Sequence, residues 1–254
     1  MSLTNLTMWR YLMNSNVQPI LGKLYNECAK LKLKDAKLSD SYYYNSLPLC
    51  LIDSIFSIGV RYSGVINTIS RFCNKKKVSR ISYQRNSSAL QSMYDCYTVS
   101  QFIEDISSYT LSDFGADELY GNHQRTSARN GILKAEAVYR AAKVLREHGI
   151  DSFADIRNVS DIELDSIENE FCEIPGQKSH ISWEYFLMLS GDDNHIKVDR
   201  WIERFYEDAT GTKNTKSKIE GDLITVCNML KQSYPSITPR LLDHVIWKTM
   251  SQKG

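Results

Sequence analysis

The chain has 254 residues, of which 42% are hydrophobic and 24% charged, and its 31 Lys and Arg nearly balance 30 Asp and Glu for a formal net charge of +1. That composition belongs to a globular chain with a sizeable core, in one large domain or two small ones. No apolar run approaches the roughly 20 residues that cross a bilayer as a helix, whereas a near-neutral total neither demands nor excludes a local basic face for phosphate.

In chain order, the opening MSLTNLTMWRYLMNSN lacks a basic-then-apolar signal pattern, so an intracellular, cytoplasmic protein is expected. Ile20, Leu21, Leu24 and Leu31 give residues 19–34 helical periodicity. A polar, Tyr-rich loop follows. Residues 48–72 read as one long buried helix, kinked near Gly59. The segment NKKKVSRISYQRNSS is basic and turn-rich, and its Lys75–Lys77 run reads as a solvated loop rather than a DNA contact. Residues 98–109 predict another helix, and the stretch from Leu111 to Gly131 an extended loop. Ala135, Val138, Ala142 and Leu145 keep helical spacing up to Gly149, which stands where a helix C-cap belongs. Ser160 and Glu163 form an S-x-x-E capping box, which starts a helix ending before Pro175. Further helices are expected from about Ser179 to Ser190, over VDRWIERFYED, over 216–232 and over 238–251. Trp183, Tyr185 and Phe186 read as core rather than as a stacking platform. No stretch shows sustained strand alternation, so the fold class is all-α.

The six cysteines, Cys28, Cys50, Cys73, Cys96, Cys172 and Cys227, include no C-x-x-C pair, and the five histidines are scattered. Spacing alone therefore offers no closed metal site. The cysteines read as reduced, buried small hydrophobes, and no metal or cofactor is expected.

The stretch EIPGQKSHISWEYF, residues 173–186, sets a Pro-Gly break between two helical segments. As a bare turn it needs no function. As a tight hairpin it exposes backbone N–H groups beside the positive end of the second helix, which suits a phosphate. Gly176 lets a backbone approach and Lys178 adds charge. Some twenty residues later Asp199 opens a helix. It is either a carboxylate complementing the helix dipole or an ionised group able to stabilise an oxocarbenium-like sugar.

Four blocks together resemble the helix-hairpin-helix superfamily of base-excision DNA glycosylases, the group containing endonuclease III and the adenine-specific mismatch glycosylase. They are LPLCLIDSIFSIGVRYSGV, RNGILKAEAV, IPGQKSHIS and HIKVDRWIERF, and they cover roughly residues 48–205. The resemblance implies two helical lobes with a central cleft: residues 46–194 as the central lobe, and 1–45 with 195–254 as the second. It implies a catalytic role for Asp199 and phosphate contacts from Pro175, Gly176, Gln177, Lys178, Ser179 and His180. Lys134 and Ala135 match the family's Gly-x-x-x-Lys-Ala helix start. A pocket for a flipped base would draw on Ser57, Arg61 and Tyr62 and on His123, Gln124 and Arg125.

The chain departs from the family at Lys178, which replaces a glycine, and at His180, where lyase-active members carry the Schiff-base lysine. No Pro precedes Asp199, and the C-terminal four-cysteine iron–sulfur signature is missing. The activity implied is therefore a monofunctional DNA N-glycosylase, acting as a monomer on double-stranded DNA with a damaged or modified base, in repair or in defence against foreign DNA. A non-catalytic helix-hairpin-helix DNA-binding protein, or a helical interaction protein with a merely structural Pro-Gly turn, remains open. The sequence does not name the base.

Overall fold

The computed structural model describes residues 18–81 and 97–252. Among them are eleven α-helices and no strand: α1 (Gln18–Ala29), α2 (Leu47–Phe56), α3 (Tyr62–Lys76), α4 (Val99–Ser107), α5 (Lys134–Glu147), α6 (Phe153–Arg157), α7 (Asp161–Glu173), α8 (Ile181–Ser190), α9 (Arg200–Thr210), α10 (Lys216–Leu230) and α11 (Pro239–Ser251). No described helix is long and apolar enough to cross a membrane. Cys96 and the end of the basic segment after Ile81 lie outside the described residues. The other five cysteines are buried and form no disulfide among the described residues.

The described residues divide into two compact units, one from Ser39 to Asp192 and the other formed by the residues up to Leu38 together with those from Asp193 onward.

The Ser39–Asp192 unit is built around α2. Its sequence, LPLCLIDSIF, is apolar all round apart from Asp53 and Ser54, and a helix of that kind must be surrounded. All ten residues are buried, with α3, α5 and α8 packed against them. Pro48 in the first turn loses no helical hydrogen bond. The stretch expected as one kinked helix is two separate helices. Residues 57–61 break it, and Gly59 turns the chain at φ 72°, a conformation cheap only for glycine. Phe56, Phe72 and Phe102 pack around Tyr120 and Tyr97. Each fully buried phenylalanine contributes about 1.5–3 kcal/mol relative to exposure. Trp183 packs at tilted ring angles against Phe171 and Phe186, and its contact with Phe171 ties α7 to α8.

Three local features depart from the sequence reading or are not part of it. The segment from Leu111 to Gly131 contains a π-helical turn, Ala116–Tyr120, held between left-handed Gly115 and Gly121. The short α6 is capped by a reciprocal Ser152/Asp155 box. At α7, Ser160 accepts the Glu163 N–H, but the return bond from the Glu163 side chain is not made.

In the other unit, α1 and α11 each pack on α9 and α10. Helix α1 ends at Ala29, so residues 30–34 are not helical. The core holds Leu24, Tyr206, Leu223, Val226, Leu242 and Ile246. Ile202, Phe205 and Tyr206 form the buried stripe of α9, whose other faces carry charge.

Candidate functional site

The Pro-Gly hairpin belongs to the Ser39–Asp192 unit. Helix α7 stops at Ile174 because Pro175 cannot continue it. The Gln177 N–H donates to the Ile174 carbonyl at 2.9 Å, and Gly176 lies at φ 90°. Pro at the second position and a left-handed Gly at the third make a type II turn. A second turn follows, closed by the His180 N–H on the Gln177 carbonyl at 3.2 Å. Helix α8 then begins with no side-chain cap. The N–H groups of Ile181, Ser182 and Trp183, and those of Lys178 and Ser179, have no acceptor among the described residues, whereas the Glu184 N–H donates to the His180 carbonyl at 3.0 Å. Lys178 and Ser179 are exposed beside them and Pro175 is half-buried. This is a set of donors at the positive end of a helix, with one lysine nearby.

Two hairpin residues are not available as expected. Gln177 is 2% exposed and its amide oxygen accepts from the Ser182 hydroxyl. It fastens the turn to α8 from inside and does not face a phosphate. His180 adopts φ 63°, rare for a residue with a Cβ. Its Nδ1 lies 2.5 Å from Glu168 Oε1 and 3.5 Å from Cys172 Sγ, so the ring turns back on α7. Burial, and then Glu168, push the Cys172 thiol up to about 11.

The hairpin rests on the loop before α5. A Cβ on Gly176 would come 2.4 Å from Thr126 Cβ, so only glycine allows this approach. That loop is a tight return: Thr126 N–H donates to Ile132 O at 2.9 Å, and Lys134 N–H to Gln124 O at 2.8 Å. Arg125 donates to Gly131 O at 2.7 Å.

The six residues expected to line a base pocket are all spoken for or peripheral. Ser57 donates to Ser54 O. Arg61 is exposed at the start of α3. His123 pairs with Asp117 at 3.6 Å. Gln124 accepts from Lys134 Nζ at 3.2 Å, and Arg125 braces its own loop. Tyr62 points into the core, where Asp53 Oδ2 accepts from Tyr44, Tyr62 and Tyr185 at 2.8, 3.2 and 3.4 Å. Three phenols thus solvate a fully buried carboxylate, and burial followed by Asp53 raises the pKa of all three. Asp53 was visible in the sequence as the one charge inside an apolar helix.

Lys134 does bring the two expected segments together. Its Nζ donates to Phe56 O at 3.0 Å, Ile58 O at 2.8 Å and Gln124 Oε1. It closes the C-terminal end of α2 and links it to the loop before α5. Burial lowers its pKa to about 8.

In the other unit, Asp199 is the N-cap of α9. Its Oδ1 accepts from Trp201 N–H at 2.8 Å and Ile202 N–H at 3.3 Å, while Oδ2 stands 4.0 Å from Lys197 Nζ. The side chain is 20% exposed. Arg200 lies over the Trp201 ring at 4.9 Å. Sequence reasoning missed Asp243, which accepts the Lys197 N–H at 2.9 Å. Burial pushes its carboxyl up to about 7; Asp199 adds to the rise, and Lys197 and Arg240 oppose it.

No curated protein and no solved structure matches the chain. A family match does extend over residues 22–251, nearly the whole chain, and on that basis the protein belongs to the family described as Domain of unknown function (DUF8548).

Proposed function

We propose that the protein is a monofunctional DNA N-glycosylase that excises a damaged or modified base and leaves an abasic site. The observation that carries this reading is Asp199. One carboxylate oxygen is fixed by two helix N–H groups, and the other stands outside the cap, 4.0 Å from Lys197 Nζ, in a side chain that is 20% exposed. A carboxylate held in this way needs no reorganisation as positive charge develops on C1′ and O4′ of the sugar. The hairpin supports the same reading, because the donors before and within the first turn of α8 suit a backbone phosphate and read no base. His180 lacks the amine needed for an imine with the sugar aldehyde, so the strand stays intact after the base leaves. The residues once expected to form the base pocket do not support a choice of base.

The test is a panel of duplexes, each carrying one modified base, incubated with the protein and then treated with alkali. Strand cleavage appearing only after alkali supports the reading. No cleavage with any duplex, together with unchanged DNA affinity in Asp199→Asn, favours the second reading: a DNA-binding protein in which Asp199 is only a helix cap. Its favouring observation is that the cap alone accounts for the position of Oδ1.

A further inference from the structure

We infer that Glu168, Cys172 and His180 form a site for a single borderline-soft divalent cation of the zinc class, clamping α7 to the start of α8. The inference does not depend on DNA binding or base excision.

Glu168 and Cys172 are four residues apart on α7 and so share one face. The hairpin brings His180 onto that face at the cost of a left-handed backbone, φ 63°. The three ligand atoms, Glu168 Oε1, Cys172 Sγ and His180 Nδ1, lie within 4.8 Å of one another. Cys172 Sγ and His180 Nδ1 are 3.5 Å apart. Tetrahedral zinc with its usual Zn–S and Zn–N bonds holds those atoms about 3.6 Å apart. Glu168 and His180, now 2.5 Å apart in a hydrogen bond, would separate by somewhat under about 1 Å to admit the ion.

A Cys-His-Glu nucleophilic relay fits less well. Such a relay uses both ring nitrogens, one toward the nucleophile and one toward the carboxylate. Here Cys172 and Glu168 both face Nδ1. A single Nδ1 proton serves only one of them, whereas a cation at that point serves all three.

On binding, Cys172 becomes a thiolate and its proton leaves to solvent. His180 binds through the Nδ1 lone pair, its proton resting on Nε2. The carboxylate and the thiolate then neutralise the dication. The fourth position opens on a cleft of about 410 Å³ lined by Asn169, Glu170, Glu173 and Lys178 besides the two ligands Cys172 and His180, and water would fill it.

The test uses the full chain stripped of metal with a chelator and titrated with Co2+. The expected result is one Co2+ per chain, a thiolate-to-cobalt charge-transfer band, tetrahedral visible absorption, and displacement of both by Zn2+. Cys172→Ser should abolish the band. Glu168→Gln, a change at a half-buried surface position, should weaken Zn2+ binding by at least the ~10–100-fold that loss of a mere supporting contact costs. His148→Gln, which removes a similar His–Glu pair without a cysteine, should leave binding unchanged. Circular dichroism establishes that each variant is folded. Absence of the band in the wild type, its persistence in Cys172→Ser, or unweakened binding in folded Glu168→Gln would overturn the proposal.

Discussion

Breaking an N-glycosidic bond leaves positive charge on the sugar, and a fixed carboxylate answers it only while charged. Asn at position 199 keeps the shape and remains a good N-cap, so Asp199→Asn should fold and bind DNA as the wild type does. It should turn over about 100- to 1000-fold more slowly, the usual loss for a preorganised electrostatic contact. Single-turnover excision measures this, with Asp193→Asn as a control expected to retain activity. A fully active Asp199→Asn would remove Asp199 from the chemistry. Asp243 makes a separate prediction. Its carboxyl rises from 3.8 to about 7 in the folded chain. Between those values the folded state holds a proton that the unfolded state has released. The stability from this group is thus fully present below about 4 and is lost as pH rises through about 7. Melting temperature should therefore fall more between pH 5 and pH 8 in the wild type than in Asp243→Asn. Parallel curves would show that the buried carboxyl does not set the pH response.

The hairpin is the element whose geometry depends most on a single residue. Gly176 sits at φ 90° with Thr126 pressed against the place where a Cβ would go. Gly176→Ala should destabilise the Ser39–Asp192 unit by roughly 1–3 kcal/mol through strain alone, and by more if Thr126 cannot yield. Denaturant unfolding measures it, and an unchanged midpoint would mean that the turn relaxes freely. Most of this element was legible beforehand. Ile-Pro-Gly marks the turn because proline ends α7 and glycine supplies the left-handed φ. The fates of Gln177 and His180 were not legible. Both are polar residues in a turn, and only the packing of α7 on α8 makes one buried and directs the other back to Glu168. The single kinked helix expected over residues 48–72 failed for a related reason. Gly59 marks a break, but how far the chain turns there depends on what α3 packs against.

At the scale of the whole molecule, the proposed activity makes one product prediction. Borohydride added during reaction should trap no protein–DNA adduct, because position 180 offers no amine. A trapped adduct would overturn the monofunctional reading and direct attention to Lys197, 4.0 Å from Asp199. Sequence by itself determined that the fold is helical, where most helices begin and end, and that Asp199 opens one of them. Those properties follow from periodicity, capping residues and Pro or Gly breaks, which act over a few neighbouring positions. Tertiary structure alone decided which polar residues are buried together. Asp53 meets three tyrosines from three segments, Lys134 closes a helix 76–78 residues away in sequence, and Glu168, Cys172 and His180 converge across a turn. No local pattern encodes those meetings, because a buried charge or a ligand set is satisfied by whatever the packed helices bring beside it.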